Sequence, residues 1–129
     1  MNKIINTTDA PAPFGPYSQA VSSSGFIFSS GQIAMNPATG ELVLETIESE
    51  TKQVLANIKA LLVASGLEFS DIVSTCIYLK NMDNFAKVNT IYSTFFTSDF
   101  PARTTVEVAR LPKDVNVEIS FIASAQNGS

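Results

Sequence analysis

The clearest pattern along the chain is a hydrophobic stripe with helical spacing between residues 47 and 65. Its members recur every three to four residues: Ile47, Thr51, Val54, Leu55, Ile58, Leu61 and Leu62. The charged residues lie mainly off the stripe: Glu48, Glu50, Lys52 and Lys59. Acidic residues in a first turn suit the helix dipole, and a glycine such as Gly66 commonly follows a last turn. The pattern predicts an amphipathic helix whose charged residues face solvent.

A second helix is predicted from about residue 83, and further segments have the composition of β-strands. The second helical stripe is formed by Phe85, Val88, Ile91 or Tyr92, Phe95 and Phe96. Strands rich in β-branched and aromatic residues are predicted at 26–31, 71–80, 104–109 and 115–123. A weak hairpin strand at 42–44 would follow turn residues at 36–40. The predicted order is β-β-(β)-α-β-α-β-β.

Two helices that each bury one stripe need a sheet to pack on, which predicts an α+β fold. The expected architecture is a two-layer sandwich with one antiparallel or mixed sheet against both helices. Side chains alternate along a strand, so one face of the last strand carries Val115, Val117, Ile119, Phe121 and Ala123. The other face is predicted to combine Arg103, Thr105 and Glu107 with Asn116, Glu118, Ser120 and Ile122. Such a semi-polar face predicts an oligomer interface with a polar cleft.

Composition and charge exclude several functional classes. The 129 residues are 45% hydrophobic and 16% charged, which predicts a single domain over residues 1–129. The net charge of -4 argues against DNA binding, which needs a basic surface. Without histidine and with one cysteine, the chain cannot form a Ser-His-Asp triad, a His-ligated or multi-cysteine metal site, or an internal disulfide. No apolar run approaches the ~18 residues of a membrane span and no secretory signal is visible, so a cytoplasmic protein is expected.

Arg103 and Glu118 are the main candidates for chemistry. Arg103 is one of only two arginines and lies at the entrance of a predicted strand, shortly after Pro101. Its guanidinium can bind a small carboxylate through two parallel hydrogen bonds, although a surface salt bridge is the plainer interpretation. Glu118 interrupts an apolar strand, as either a solvated surface carboxylate or a base held near an arginine.

Four further residues each have two interpretations. Tyr17 can reach a ligand through its hydroxyl or can be an ordinary packed aromatic of a loop. Ser30 can contact a ligand or simply end a strand, and Gly31 can allow close approach of a ligand or form a turn. Cys76 lies among apolar neighbours in mid-strand and is predicted to belong to the core, not to act as a nucleophile.

Two separated motifs resemble the signatures of the RidA/YjgF family of reactive-intermediate deaminases. The N-terminal motif is APFGPYSQA at 12–20, followed by SSGQI at 29–33. The C-terminal motif is FPAR at 100–103, VEVARLPKD at 106–114 and VEI at 117–119. The likeness extends from about residue 4 to residue 124, with both motifs in the family's order and spacing.

This resemblance implies a homotrimer with a chorismate-mutase-like fold, in which sheets face inward, helices face outward and clefts lie between subunits. It implies hydrolysis of 2-iminobutanoate and 2-iminopropanoate to 2-oxo acids and ammonia, without a metal or organic cofactor. These imines are released by pyridoxal-phosphate-dependent dehydratases, which are therefore the implied functional partners.

The resemblance also implies a role for each site residue. Arg103 would bind the substrate carboxylate, Glu118 would deprotonate the attacking water, and Tyr17 would close the cleft. Hydrogen bonds to the substrate would come from Ser30, Gly31 and the Thr105 backbone. Many close relatives carry cysteine where this chain has Thr105, so a thiol-dependent role at that position is excluded. Thr104 is expected to face the opposite side of the sheet.

Two alternative functions are compatible with the family. One is a non-catalytic regulatory trimer that binds small carboxylates. The other is an endoribonuclease or translation inhibitor, which the net charge of -4, the lack of histidine and the presence of only two arginines oppose, because RNA binding needs a positive surface.

Overall fold

The computed structural model describes residues 2–97 and 99–125, which form one six-stranded mixed sheet and two α-helices. The elements in chain order are β1 (Lys3–Ile5), β2 (Ala20–Ser23), β3 (Phe26–Ser29), α1 (Ile47–Ala64), β4 (Ile72–Leu79), α2 (Phe85–Ser93), β5 (Ala102–Glu107) and β6 (Val117–Ser124). The strand order is β1-β2-β3-β6-β4-β5. Only β4 and β5 pair in parallel, and the other neighbours are antiparallel. This architecture confirms the predicted α+β class.

Helix α1 begins and ends where its flanking residues satisfy the backbone. Thr46 is the N-cap, and its hydroxyl accepts a hydrogen bond from the Ser49 N–H at 3.0 Å. At the other end Gly66 adopts a φ of +76°, which a residue with a Cβ adopts only with strain. Its neighbour's N–H then donates to the Leu62 carbonyl at 2.8 Å, which closes the helix as predicted from Gly66.

One face of the sheet, here called the helix face, packs against both helices and forms the core. It carries Thr75, Ile77 and Leu79 of β4, and every second residue of β6 from Val117 to Ala123. The predicted stripe of α1 covers it with Val54, Leu55, Ile58, Leu61 and Leu62, all fully buried. Each such side chain contributes about 1.5–3 kcal/mol by its removal from water.

The opposite face, here called the open face, carries Cys76, Tyr78, Glu118 and Ser120, which are half-buried. Cys76 therefore lies outside the core, and its predicted core position is wrong. Its apolar neighbours along β4 belong to the helix face, while the alternation of the strand turns Cys76 away from them. The open face also exposes large hydrophobic side chains, including Phe28 at 44% and Val106 at 38%.

The predicted faces of β5 are reversed. Arg103 and Thr105 pair with Thr75 and Ile77, so they lie on the helix face. Thr104 and Val106 pair with Cys76 and Tyr78 and share the open face with Glu118. Alternation shows which residues of a strand share a side, but the pairing register decides which side faces the helices. β5 is an edge strand, and its residues remain largely exposed, so hydrophobicity gave no guide.

The segment predicted as a hairpin strand at 42–44 forms only an isolated bridge between Met35 and Leu42. Strands β1 and β2 are short, at three and four residues, and carry little hydrophobic pattern of their own. Neither α1 nor α2, the helices of the described residues, has the length and apolarity needed to cross a bilayer.

Glu50 is the largest departure from the amphipathic pattern of α1. It was predicted to lie mainly off the buried stripe, yet its relative exposure is 0%. Its carboxylate accepts hydrogen bonds from the Asn116 N–H at 2.7 Å, the Asn116 side-chain amide at 2.8 Å and the Val117 N–H at 3.1 Å. These bonds attach the first turn of α1 to the start of β6.

Glu50→Ala should lower the free energy of unfolding by about 2–4 kcal/mol, because it leaves buried N–H groups without an acceptor. The matched control is Glu48→Ala, which removes a first-turn carboxylate with only a dipole contribution of about 0.5 kcal/mol. Urea denaturation at one fixed protein concentration measures both changes. Equal losses for the two variants would contradict a structural role for the Glu50 hydrogen bonds.

Candidate functional site

Glu118 lies at a cavity of about 250 Å³, here called the Glu118 pocket. The pocket is lined by Phe14, Tyr17, Ser30, Gly31, Ile33, Pro112 and Glu118. Four of the predicted site residues therefore meet in one place. They come from the N-terminal motif at 12–20, the segment just after β3 and the open face of β6, and the first and last of these lie about a hundred positions apart in the sequence.

The Glu118 carboxylate has the environment of a base. No hydrogen bond or ion pair to it is formed by any residue in the ranges 2–97 and 99–125. Burial raises the pKa of Glu118, because desolvation disfavours the charged form. A carboxylate with a raised pKa and free lone pairs is better able to accept a proton from water than an exposed one.

The present position of this carboxylate depends on Gly31 having no side chain. A Cβ at position 31 would overlap the carboxylate oxygen of Glu118 and lie 2.6 Å from its carboxyl carbon. Gly31 thus permits the close approach of the Glu118 carboxylate, while the two interpretations given to it from the sequence, a ligand contact or a turn, stay predictions. The resulting contact places the Gly31 backbone beside the carboxylate, at the floor of the pocket.

The hydroxyls of Tyr17 and Ser30 are each already engaged in one hydrogen bond within the chain, which limits how they can bind a ligand. The Tyr17 ring packs edge-on to Phe14, with ring centroids 5.8 Å apart, and its hydroxyl oxygen accepts from the Phe14 N–H at 3.3 Å. The Tyr17 hydroxyl hydrogen remains available to a ligand. The Ser30 hydroxyl donates to the Ser18 carbonyl at 2.5 Å, so towards a ligand it can act only as an acceptor.

Pro112 lines the Glu118 pocket, although it was not predicted from the sequence as part of the site. Lys113 and Asp114 adopt φ values of 56° and 57°, in the left-handed region that disfavours residues with a Cβ. The turn is held on both sides, by the Lys113 ammonium 4.8 Å from the Phe14 ring centroid and by a 2.7 Å ion pair between Lys80 and Asp114. Such strain marks a backbone position fixed by its surroundings.

Arg103 lies at a different cavity of about 410 Å³, here called the Arg103 pocket. The pocket is lined by Asn89, Tyr92, Ser93, Phe100, Pro101 and Arg103. The guanidinium donates to the Asn89 side-chain oxygen at 2.6 Å, and no carboxylate of the described residues forms an ion pair with it. The surface salt bridge considered from the sequence is absent from this part of the chain.

The two pockets do not meet within one chain. Arg103 is on β5 and Glu118 on β6, with β4 between them, so about 10 Å of sheet separates their strands. Their side chains also leave opposite faces of the sheet. Thr105, predicted beside Arg103, lines neither pocket, and its buried hydroxyl oxygen has no hydrogen-bond partner among the described residues. The predicted site residues of one chain thus lie in two separate groups, here called the two half-sites of the predicted site.

Glu118→Gln should stabilise the fold at neutral pH and lose that advantage in acid. Because the folded pKa of Glu118 is raised, the unfolded chain releases this proton first as the pH rises. The wild type therefore loses stability from about pH 4.3, the ordinary glutamate value, up through the raised folded pKa. Glutamine carries no charge and escapes this loss. Melting temperatures of the wild type and the Glu118→Gln variant from pH 4 to pH 8 measure this loss. A difference between the two melting temperatures that stays constant across the series would contradict the effect.

Comparison with known proteins places the fold and motifs in one family. The family described as Endoribonuclease L-PSP matches residues 7–125. A RutC family protein from Pyrococcus horikoshii is 50% identical over 123 residues, covering 95% of this chain and 98% of that protein. A 2-iminobutanoate/2-iminopropanoate deaminase from Escherichia coli K12 is 48% identical over 126 residues, covering 95% and 98%.

Solved structures agree with the sequence matches. The YjgF gene product of Escherichia coli superposes with a TM-score of 0.90 at 48% identity, over 95% of this chain and 98% of that one. Escherichia coli TdcF with bound serine superposes with a TM-score of 0.91 at 41% identity, with the same coverage. The family match spans both sequence motifs and all but the first few residues of the sheet. The chain therefore belongs to the RidA/YjgF family, as its two motifs predicted.

Proposed function

We propose that this protein hydrolyses 2-imino acids such as 2-iminobutanoate and 2-iminopropanoate to 2-oxo acids and ammonia. The observation that carries the proposal is Glu118, a desolvated carboxylate without a partner among the described residues, at the floor of a pocket. A carboxylate in that state costs stability, which a purely structural role does not explain. The deaminase from Escherichia coli, at 48% identity, supports the same substrate class.

The chemistry needs one base and one anion-binding group. Glu118 takes a proton from a water molecule as the water oxygen bonds to the C=N carbon, and passes that proton to the nitrogen. The hydroxyl proton of the carbinolamine then passes to its nitrogen, the C–N bond breaks, and ammonia leaves as the C=O bond of the 2-oxo acid forms. The net change is imine plus water to ketone plus ammonia, so neither oxidant nor cofactor enters the balance.

Arg103 would hold the substrate carboxylate, since its guanidinium is exposed and forms no ion pair with a carboxylate of the described residues. The Tyr17 hydroxyl hydrogen would orient the water or the departing amine. The Gly31 backbone would contact the substrate beside Glu118, with Ser30 in reach only as an acceptor. Thr105 would contribute through its backbone, as the family resemblance implies.

Because the two half-sites face apart in one chain, the proposal requires a second copy of the chain. The Arg103 pocket of one subunit would meet the Glu118 pocket of its neighbour across an intersubunit cleft, in a homotrimer. The open face supports such an assembly, because it exposes Phe28 and Val106 together with half-buried polar residues. Light scattering should give a mass of about three chains; a monomer would remove the cleft.

The alternative of a non-catalytic trimer that binds small carboxylates rests on Arg103 alone. Its guanidinium is held by a hydrogen bond to Asn89, and the related TdcF structure contains bound serine, which carries a carboxylate. The two functions differ only in whether Glu118 turns over the bound molecule. A net charge of -4 gives no support to the ribonuclease activity named in the family description.

Glu118→Gln should reduce imine hydrolysis by about 10²–10⁴-fold while leaving carboxylate binding intact, because it removes the base and preserves the shape of the side chain.

Arg103→Ala should abolish hydrolysis by loss of the carboxylate contact. Arg110→Ala is the matched control, since Arg110 is an exposed arginine that lines neither pocket. The assay generates 2-iminobutanoate with a threonine dehydratase and follows its loss. Carboxylate binding without any accelerated loss by the wild type would favour the regulatory alternative.

Co-expression of the Arg103→Ala and Glu118→Gln chains should restore activity that neither variant has alone. In randomly mixed trimers, roughly a quarter of the clefts pair an intact Arg103 from one chain with an intact Glu118 from the next. The mixture should therefore show roughly a quarter of the wild-type activity per cleft. No recovery in mixed trimers, verified by differently tagged chains, would place both residues of each working site in one subunit.

A further inference from the structure

Helix α2 holds the Arg103 guanidinium through three residues that share one helical face. Phe85, Asn89 and Tyr92 follow one another at spacings of four and three, which brings their side chains to the same side of the helix. The central guanidinium carbon lies 5.5 Å from the Phe85 ring centroid and 5.2 Å from that of Tyr92. Asn89 accepts a 2.6 Å hydrogen bond from Nη1 between them.

Tyr92 connects this arrangement to the core. The Tyr92 hydroxyl and the Thr75 hydroxyl share a buried 2.8 Å hydrogen bond, and Tyr92 is only 3% exposed. Thr75 is also the cross-strand partner of Arg103 in the β4–β5 pair. The Arg103 guanidinium therefore packs on the Tyr92 ring, and Tyr92 is hydrogen-bonded to β4, the strand next to that of Arg103. Arg103 itself is exposed.

The chemistry of Asn89 matters as much as its position. A guanidinium has five N–H donors, and the two aromatic rings attract its charge without consuming any of them. Asn89 takes one donor at Nη1 and leaves the others for a ligand. Because the amide is neutral, the positive charge of Arg103 stays uncompensated by any carboxylate of the described residues.

We infer that Asn89 is a positioning residue for the anion site: its side-chain oxygen orients the Arg103 guanidinium towards the cleft, and its neutrality reserves the charge for a substrate carboxylate. An aspartate of the same shape would accept the same hydrogen bond but form an ion pair with Arg103. It would then compete directly with the substrate carboxylate. A long arginine side chain without the bond would lose its fixed orientation, with a smaller cost to binding.

The inference rests on the proposed function for its substrate, but it can be tested by binding alone. Asn89→Asp should weaken binding of 2-oxobutanoate, the stable product carboxylate, by about tenfold or more. In the imine assay it should raise KM by a similar factor, while kcat changes by less than about threefold, because Glu118 is untouched. Asn89→Leu, which removes the acceptor but adds no charge, should weaken binding by a smaller factor.

Thr90→Asp is the matched control, because it adds the same charge to an exposed neighbouring position of α2. It should bind 2-oxobutanoate as the wild type does. Titration calorimetry measures binding, and circular dichroism melting verifies that each variant is folded; if Asn89→Asp does not fold, Asn89→Leu decides.

Folded Asn89 variants that bind 2-oxobutanoate like the wild type would overturn the inference, as would a wild type that binds none. A fall in kcat with unchanged KM would also overturn it, because the residue would then act on turnover and not on the anion. If the wild type binds 2-oxobutanoate through Asn89 and Arg103 but does not accelerate imine loss, the proposed deaminase fails and the inference stands.

Discussion

The parallel pairing of β4 with β5 is the constraint on which the site depends. Its register sets Arg103 opposite Thr75 and so directs the guanidinium to the helix face, against α2. Glu118 pairs with Tyr78 on the same β4 strand but leaves the open face. A one-residue slip in either pairing would exchange these faces. The separation of Glu118 from Arg103 is thus fixed by the backbone hydrogen bonds of the sheet, which are far stiffer than side-chain rotamers.

Each half-site contains a charged group that the described part of the chain leaves unpaired. Glu118 is desolvated without a hydrogen-bond donor, and Arg103 has one neutral acceptor and no carboxylate. The desolvation of Glu118 opposes stability, whereas the buried Glu50 carboxylate accepts three hydrogen bonds, so the same fold can supply donors to a buried carboxylate. The two glutamates meet the chain at neighbouring places: Glu50 binds residues 116 and 117, and Glu118, without a partner among the described residues, follows directly. A residue that lacks partners beside residues that have them is typical of a functional site.

The sequence was sufficient for elements with a long repeating pattern. Helix α1 was predicted over 47–65 and spans Ile47–Ala64, because its stripe covers five turns and Gly66 marks its end. The face of β5 was not predictable, because an exposed edge strand carries no hydrophobic signal about which side meets the helices. Cys76 was misplaced for the related reason that its neighbours in sequence are not its neighbours on the face.

The sequence predicted which residues form the candidate site more completely than it predicted how they are arranged. The motifs contain Tyr17, Ser30, Gly31, Arg103 and Glu118, with Thr105 between two segments of the C-terminal motif, but alternation alone grouped Arg103 with Glu118 on one face. Asn89 lies outside both motifs, and its only signal is a spacing of four from Phe85 and three from Tyr92. That signal was hidden because a helical stripe of aromatic residues is normally explained by core packing, whereas Phe85 remains 37% exposed beside Arg103.

The proposed assembly would both bury the exposed hydrophobic residues and complete the site. A second chain over the open face would remove Phe28 and Val106 from water, at about 25 cal/mol for each Å² of apolar surface buried. The same approach would bring an anion-binding pocket to a base. Since no residue of either half-site has to move across its own sheet, assembly alone would complete the site. Stability gained on association would then offset the cost of keeping Glu118 desolvated, so activity and oligomeric state would rise and fall together.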